Sequence, residues 1–138
     1  MAVPEIDVKA HTKAPAERVF ALLADAPSWS RWAPFDEAVV EQGDGVGEVR
    51  RFRTGRVTSR ERVTVLERPR RFGYELLSGL PIRDYRAEVT LTPDPGGGTQ
   101  IRWHSKFAAM VPGTGWIMRR RLGRFIAETA AGLARAAE

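Results

Sequence analysis

The sequence predicts an α+β fold in which a seven-stranded antiparallel sheet packs against one long C-terminal helix. Three observations predict it. Residues 114 to 137 are the only long segment with a helical apolar period: Met118, Leu122, Phe125, Ile126, Thr129, Leu133 and Ala136 recur every three or four residues and share one side. Residues 3 to 12, and nearly all of 37 to 108, alternate apolar and polar side chains, the period of strands with one buried face. The connections between these segments are short turn sequences, which favour an antiparallel meander. A helix of this length spans about 35 Å and needs one broad apolar surface to lie on.

In the first strand Ile6, Val8 and Ala10 alternate with Asp7, Lys9 and His11. Pro15 then stands in the first turn of an amphipathic helix, Ala16 to Ala24, where its missing N–H costs nothing, and Asp25-Ala26-Pro27 ends that helix. Ser28 to Ala33 can make one further turn, placing Trp29 and Trp32 at one end of the core. Six strands follow, at about 37–42, 47–54, 57–67, 71–78, 82–92 and 99–108, separated by glycine- and proline-containing turns.

Uniform alternation assigns the inward faces. They are Ser59, Glu61, Val63 and Val65; Phe72, Tyr74 and Leu76; Tyr85, Ala87, Val89 and Leu91; and Ile101, Trp103, Ser105 and Phe107. The strand at 47–54 has two competing phases. The one that turns Arg50, Phe52 and Thr54 inward is preferred, because it buries Phe52 and leaves one arginine inside rather than two. Thr114 is the expected N-cap of the terminal helix. The far arc of that helix carries Arg120, Arg121, Arg124, Glu128 and Arg135, with Arg124 and Glu128 at ion-pair spacing.

A chain of 138 residues is the size of one domain, so residues 1–138 are expected to form a single unit with a full core. Without cysteine there is no disulfide, thiolate metal site or thiol nucleophile. No signal pattern and no apolar run of membrane-spanning length is present, so the expectation is a soluble cytoplasmic protein without a transmembrane segment. The net charge of +5, from 22 basic and 17 acidic residues, permits attraction to nucleic acid or an anionic membrane. Yet arginine outnumbers lysine 19 to 3, the arginines are scattered, and no base-reading motif occurs, which argues against a nucleic-acid partner. Gly43 to Gly47 is followed by a strand rather than a helix, so it reads as a hairpin and not a phosphate loop. His11 and His104 have no ligand spacing, and neither a metal nor another cofactor is expected.

Glu61 breaks the pattern. A carboxylate on a buried strand face has a raised pKa unless a cation is near, and Arg50, across the hairpin, is the natural partner. A structural ion pair and a ligand-facing acid are both consistent with that placement. Tyr74, Tyr85 and Trp103 can be plain core, but beside Ser105 and Glu61 they also suit a pocket that orients an amphipathic ligand. Arg119 falls at the edge of the buried helical stripe, where Gly123 and Ala127 leave room. With Trp116, Trp29 and Trp32 nearby it could guard a portal and anchor a carboxylate or phosphate; the alternative is an arginine lying along the sheet edge. The candidate ligand-facing residues are Trp32, Phe35, Arg50, Phe52, Glu61, Tyr74, Tyr85, Trp103, Ser105, Met118, Arg119 and Leu122, with Glu61 the candidate catalytic group.

Taken in order, the first strand, Ala14 to Phe20, Asp25 to Trp29, Trp32, six strands and a long terminal helix resemble the START-like, helix-grip superfamily known as SRPBCC. Gly47 to Phe52, Arg60 to Val63, Leu80 to Tyr85 and Thr99 to Phe107 look like the strand pattern of its bacterial polyketide cyclase/dehydrase and lipid-transport group. The resemblance covers essentially the whole chain. It implies a curved seven-stranded antiparallel sheet wrapped around the C-terminal helix, two short helices after the first strand, and an apolar cavity between sheet and helix. Members bind lipids, polyketides, sterols or aromatic metabolites, and the fold is shared by carriers and enzymes. The expectation is binding of a hydrophobic or aromatic small molecule, lipid or polyketide-like, in that cavity. One alternative is a polyketide cyclase or dehydratase in which Glu61, helped by Tyr74 or Tyr85, moves a proton on a folded ligand. Another is an interaction protein using its basic helix face.

Overall fold

The computed structural model describes residues 3–138. The alternating segments form strands β1 (Glu5–Thr12), β2 (Glu37–Gln42), β3 (Val49–Thr54), β4 (Val57–Glu67), β5 (Arg71–Ser78), β6 (Ile82–Pro93) and β7 (Thr99–Ala109). They make one sheet in the order β1-β7-β6-β5-β4-β3-β2, antiparallel at every pairing. The turns from β2 to β7 are too short for crossovers, so those strands follow one another as a meander. Because β1 pairs with β7, the chain between β1 and β2 has to pass from one sheet edge to the other. It does so as helix α1 (Ala16–Ala24), a 3-10 turn (Ala26–Ser28) and the short helix α2 (Trp29–Trp32). Helix α3 (Gly115–Ala137) lies inside the curved sheet, along β1 and β7, with α1 and α2 against it.

The core is aromatic and aliphatic: Phe20, Phe52, Phe72, Trp103, Phe107, Ile101 and Leu133 are all fully buried. Each such side chain contributes about 1.5 to 3 kcal/mol by leaving water. Buried hydroxyls join the pieces. Thr12 Oγ1 donates to the Ala134 carbonyl at 2.8 Å and Thr99 Oγ1 to the Ala14 carbonyl at 2.8 Å, tying the last turns of α3 and the entry to α1 onto the sheet. Arg18 Nη1 donates to the Ala137 carbonyl at 3.2 Å, placing a cation at the negative end of α3. At Gly132 the helix crosses α2 in backbone contact, because a Cβ there would collide with the Trp32 carbonyl oxygen. No helix among the described residues is long and apolar enough to cross a membrane.

On the outer face, arginines pair with carboxylates across strands: Arg60 with Glu41 at 2.7 Å, Arg71 with Glu88 at 2.6 Å, Arg102 with Asp7 at 2.8 Å, and Arg62 with Glu75. The hydrogen bond from Arg102 holds Asp7 below its ordinary pKa, and that from Arg71 does the same for Glu88. Much of the scattered basic charge is therefore neutralised in place.

Four local expectations are corrected. A bulge between Val63 and Val65 shifts the register, so Leu66 packs on the core while Val65 turns to the outer face, over Gly73, whose missing side chain leaves room for it. Ala136 is exposed, and Ala134 and Ala137 are buried in its place, since the helix end rotates toward α1. Thr114 occupies the N-cap position but its hydroxyl donates back to the Val111 carbonyl at 2.6 Å, so it does not cap α3. Arg124 and Glu128 form no ion pair within 4.0 Å, each side chain being free to extend into water.

Candidate functional site

Between the sheet and the first half of α3 lies a cavity of about 410 Å³. Its depth follows from the sequence pattern. The inward residues of β4, β5, β6 and β7 supply Ser59 and Glu61, Tyr74 and Leu76, Tyr85, and Trp103. Met118, Leu122 and Phe125 on α3 face them but are only half-buried, because the space between helix and sheet is not filled there. Farther along α3, Ile126 is buried at the cavity's inner edge, and Ala130 and Leu133 close onto the sheet and are fully packed. The helix is therefore a core element at its C-terminal end and a cavity wall at its N-terminal end.

Trp29 closes the deep end. Its ring centre lies 4.7 Å from that of Trp32, 5.4 Å from Phe52 and 5.8 Å from Trp103, and its indole N–H donates to the Leu23 carbonyl at 3.1 Å. Phe35 stacks on Phe52 at 4.4 Å and faces Phe125 at 5.1 Å, forming one side wall. Trp103 Nε1 donates to the Tyr74 hydroxyl at 3.1 Å, and the Tyr74 and Tyr85 hydroxyls lie 3.3 Å apart. Burial raises the pKa of both tyrosines, so both stay neutral and act as hydrogen-bond groups rather than as charges.

Glu61 lies on this wall without a hydrogen-bond or ion-pair partner among the described residues. Burial pushes its carboxyl up to about 8, a rise that the Arg50 charge only partly offsets. Arg50 is directly opposite Glu61 in the β3–β4 register, yet its guanidinium turns away. It is buried, with Nε 2.7 Å from Glu48 Oε2, Nη1 donating to the Leu23 carbonyl at 2.8 Å and Nη2 to the Ala24 carbonyl at 2.9 Å. Those are terminal carbonyls of α1, unsatisfied within the helix, so Arg50 acts as a C-terminal cap supplied by the sheet. The expected Arg50–Glu61 pair is corrected on this ground: the guanidinium has stronger, geometrically better partners at the helix end.

Of the expected ligand-facing residues, Phe35, Glu61, Tyr74, Tyr85, Trp103, Met118 and Leu122 meet around the cavity. Five others lie elsewhere. Trp32 is buried behind Trp29 with its indole N–H on Ser28 Oγ at 3.0 Å, Phe52 is covered by Phe35, and Arg50 caps α1. Ser105 is buried on β7 close to the Tyr85 hydroxyl and does not border the cavity. Arg119 is exposed on the β1 side of α3, where its Nε donates to the Glu5 carbonyl at 3.0 Å; Trp116 lies on that side too. The portal expected beside Arg119 is thus displaced around the helix. The cation at the cavity is Arg121, three residues after Met118 and four before Phe125, and so on their side of the helix. That spacing was the available signal. Val57, at the start of β4, continues the inward phase of Ser59 and Glu61, whereas Gly79, Leu80 and Pro81, in the β5–β6 connection, border the cavity with no periodicity that could have placed them there. The described residues hold no group of three or more His, Asp or Glu placed to share a metal ion.

Comparison with known proteins gives the fold a family. None of the curated proteins matches the chain. Among solved structures, the protein XoxI from Bacillus cereus superposes with a TM-score of 0.81 at 18% identity, over 99% of this chain and 95% of that one. An uncharacterized protein from Bacillus thuringiensis gives 0.82 at 17% identity, over 96% and 98% of the two chains. A START superfamily protein from Mycobacterium smegmatis gives 0.82 at 12% identity, over 99% and 97%. These similarities establish the shared architecture. The family model described as polyketide cyclase/dehydrase and lipid transport matches residues 4–138, nearly the whole chain, and the protein belongs to that family of START-like SRPBCC domains.

Proposed function

We propose that the cavity binds a small hydrophobic or aromatic molecule ending in a hydrogen-bond acceptor, and that Glu61 holds that end. The observation that carries the reading is a partnerless carboxyl on the wall of a cavity lined mostly by aromatic and aliphatic side chains. A volume of about 410 Å³ suits a small ligand, whose apolar body gains by leaving water for such walls. Below pH about 8 the Glu61 carboxyl is protonated and can donate to a carbonyl or ether oxygen, with the Tyr74–Tyr85 pair beside it as further hydroxyls.

The same carboxyl supports a second reading. A group that changes protonation near neutral pH is poised for general acid–base work, and a polyketide-like chain folded against it could be cyclised or dehydrated there. Glu61→Gln separates the two, because glutamine keeps a donor but cannot transfer a proton. An aromatic ketone and its deoxygenated hydrocarbon, titrated against wild type, Glu61→Gln and Glu61→Leu with native mass spectrometry as readout, test the binding claim. Leucine should cost the ketone about tenfold in affinity and spare the hydrocarbon, while glutamine stays near wild type. Equal ketone affinity in all three proteins overturns the role of Glu61. Turnover of a polyketide-like substrate that Glu61→Gln abolishes without loss of binding would establish the enzyme.

A further inference from the structure

The end of the molecule at which the cavity opens is unlike the rest of its surface. Of the wall residues, Thr54, Val57, Gly79, Pro81 and Arg121 are exposed whereas Trp29, Tyr74, Tyr85 and Trp103 are buried, so the mouth lies at the β3–β4 and β5–β6 turns. Strand register carries that end across the sheet, pairing Val57 with Thr54, Arg60 with Ser78, Ile82 with Ala109 and Glu5 with Lys106. The β7–α3 connection and the first turns of α3 therefore stand beside the mouth. Val57, Leu77, Met110, Val111, Trp116 and Ile117 are all exposed here, Trp116 to 67%. Val3 precedes β1 at the same end. Among the described residues, only Val40 and Val46 of the exposed large apolar side chains lie elsewhere.

The charges around these tips are mostly basic. Arg56, Arg83, Arg120 and Arg121 form no ion pair among the described residues, unlike Arg60, Arg62, Arg71 and Arg102 of the outer sheet face, and although Arg31, Arg70, Arg86, Arg124 and Arg135 are also unpaired, these four gather at the apolar tips. The nearby carboxylates are mostly engaged already, Glu5 by Lys106 and His104, and Asp36 and Glu37 by Arg51 and Arg53; Asp84 is the one without an ion pair.

We infer that this end docks on an anionic lipid bilayer, its apolar tips entering the headgroup layer and its arginines meeting lipid phosphates, so that the cavity mouth faces the membrane. Apolar tips alone would fit any apolar partner, but the surplus of unpaired arginines among them selects a negatively charged one. Tryptophan and aliphatic side chains interleaved with arginine are what an interfacial segment presents to lipid. The tips also come from separate loops, which a deformable bilayer can accommodate together. A nucleic acid would engage the arginines and leave the apolar tips in water. This docking does not depend on what the cavity holds.

Trp116 is the reporter. Of the four tryptophans it alone is exposed, with Trp29, Trp32 and Trp103 at 8% exposure or less. Titration with phosphatidylcholine vesicles containing phosphatidylglycerol should shift its emission to the blue and sediment the protein, whereas pure phosphatidylcholine should do neither, and added salt should reverse the binding. The double variant Arg120→Glu, Arg121→Glu should bind the anionic vesicles about tenfold more weakly or worse. Trp116→Ala should lose the blue shift and sediment less. Val46→Asp, in the β2–β3 turn, should behave as wild type. These side chains are exposed, so unchanged melting temperatures verify that the fold is intact. Three results would overturn the inference: no partition onto anionic vesicles, equal partition onto neutral ones, or undiminished binding by the double arginine variant. Displacement from vesicles by a single-stranded oligonucleotide of equal charge would assign the arginines to nucleic acid instead.

Discussion

Glu61 couples folding to pH. Its carboxyl is raised from 4.5 to about 8 in the folded chain, so between those values the folded protein keeps a proton that the unfolded chain has lost. The stability that this proton supports is fully present below pH 4.5 and is lost as pH rises through about 8. The slope is at most about 1.4 kcal/mol per pH unit across that window. Chemical denaturation at pH 5 and pH 9 should show Glu61→Gln close to wild type at the lower value and more stable at the higher one; an unchanged difference would mean that the carboxyl is hydrated and ordinary. Arg50 makes the opposite kind of contribution. Arg50→Ala would strand the Ala24 carbonyl and the Glu48 carboxylate and leave the Leu23 carbonyl only the Trp29 indole, at a cost of about 3 kcal/mol, measurable as a fall in the denaturation midpoint.

Helix α3 has two halves with different tasks, and substitutions along it should sort accordingly. Leu133 is fully buried, so Leu133→Ala should cost about 2 to 5 kcal/mol. Leu122 borders open space and touches fewer atoms, so Leu122→Ala should cost clearly less than Leu133→Ala in parallel urea melts. Gly132→Ala is the sharper test of how the helix is seated. Alanine normally favours a helix, but here its methyl group would strike the Trp32 carbonyl oxygen, and a loss of at least about 2 kcal/mol is expected. A stabilised variant would mean that α3 and α2 are farther apart than the structure places them.

For the molecule as a whole, the cavity is what distinguishes this sheet and helix from a solid core. Leu122→Trp should fill part of it, lowering uptake of any apolar ligand while keeping the melting temperature at or above that of wild type, as read by a displacement titration and a thermal melt in the same buffer. The strands, the helices and their order were legible in the sequence, because alternation and helical period are local consequences of which side chains must leave water. Glu61, Tyr74, Tyr85 and Trp103 could be placed on one inner surface by the same parity argument. Parity fails where a backbone adds a residue, as at the bulge that turns Val65 out and Leu66 in. It is also blind to long side chains, which choose partners within reach rather than along a strand. Arg50 chose carbonyls of α1, 26 and 27 positions earlier, over the carboxylate directly opposite, and Arg121 rather than Arg119 came to the cavity. By itself the sequence determined the elements and which of their faces are apolar, since burial has a fixed period in each kind of backbone. Only the tertiary structure decided where α3 stops touching the sheet and opens a cavity, and which charges are left without partners around it, because those depend on distances between segments that no local pattern encodes.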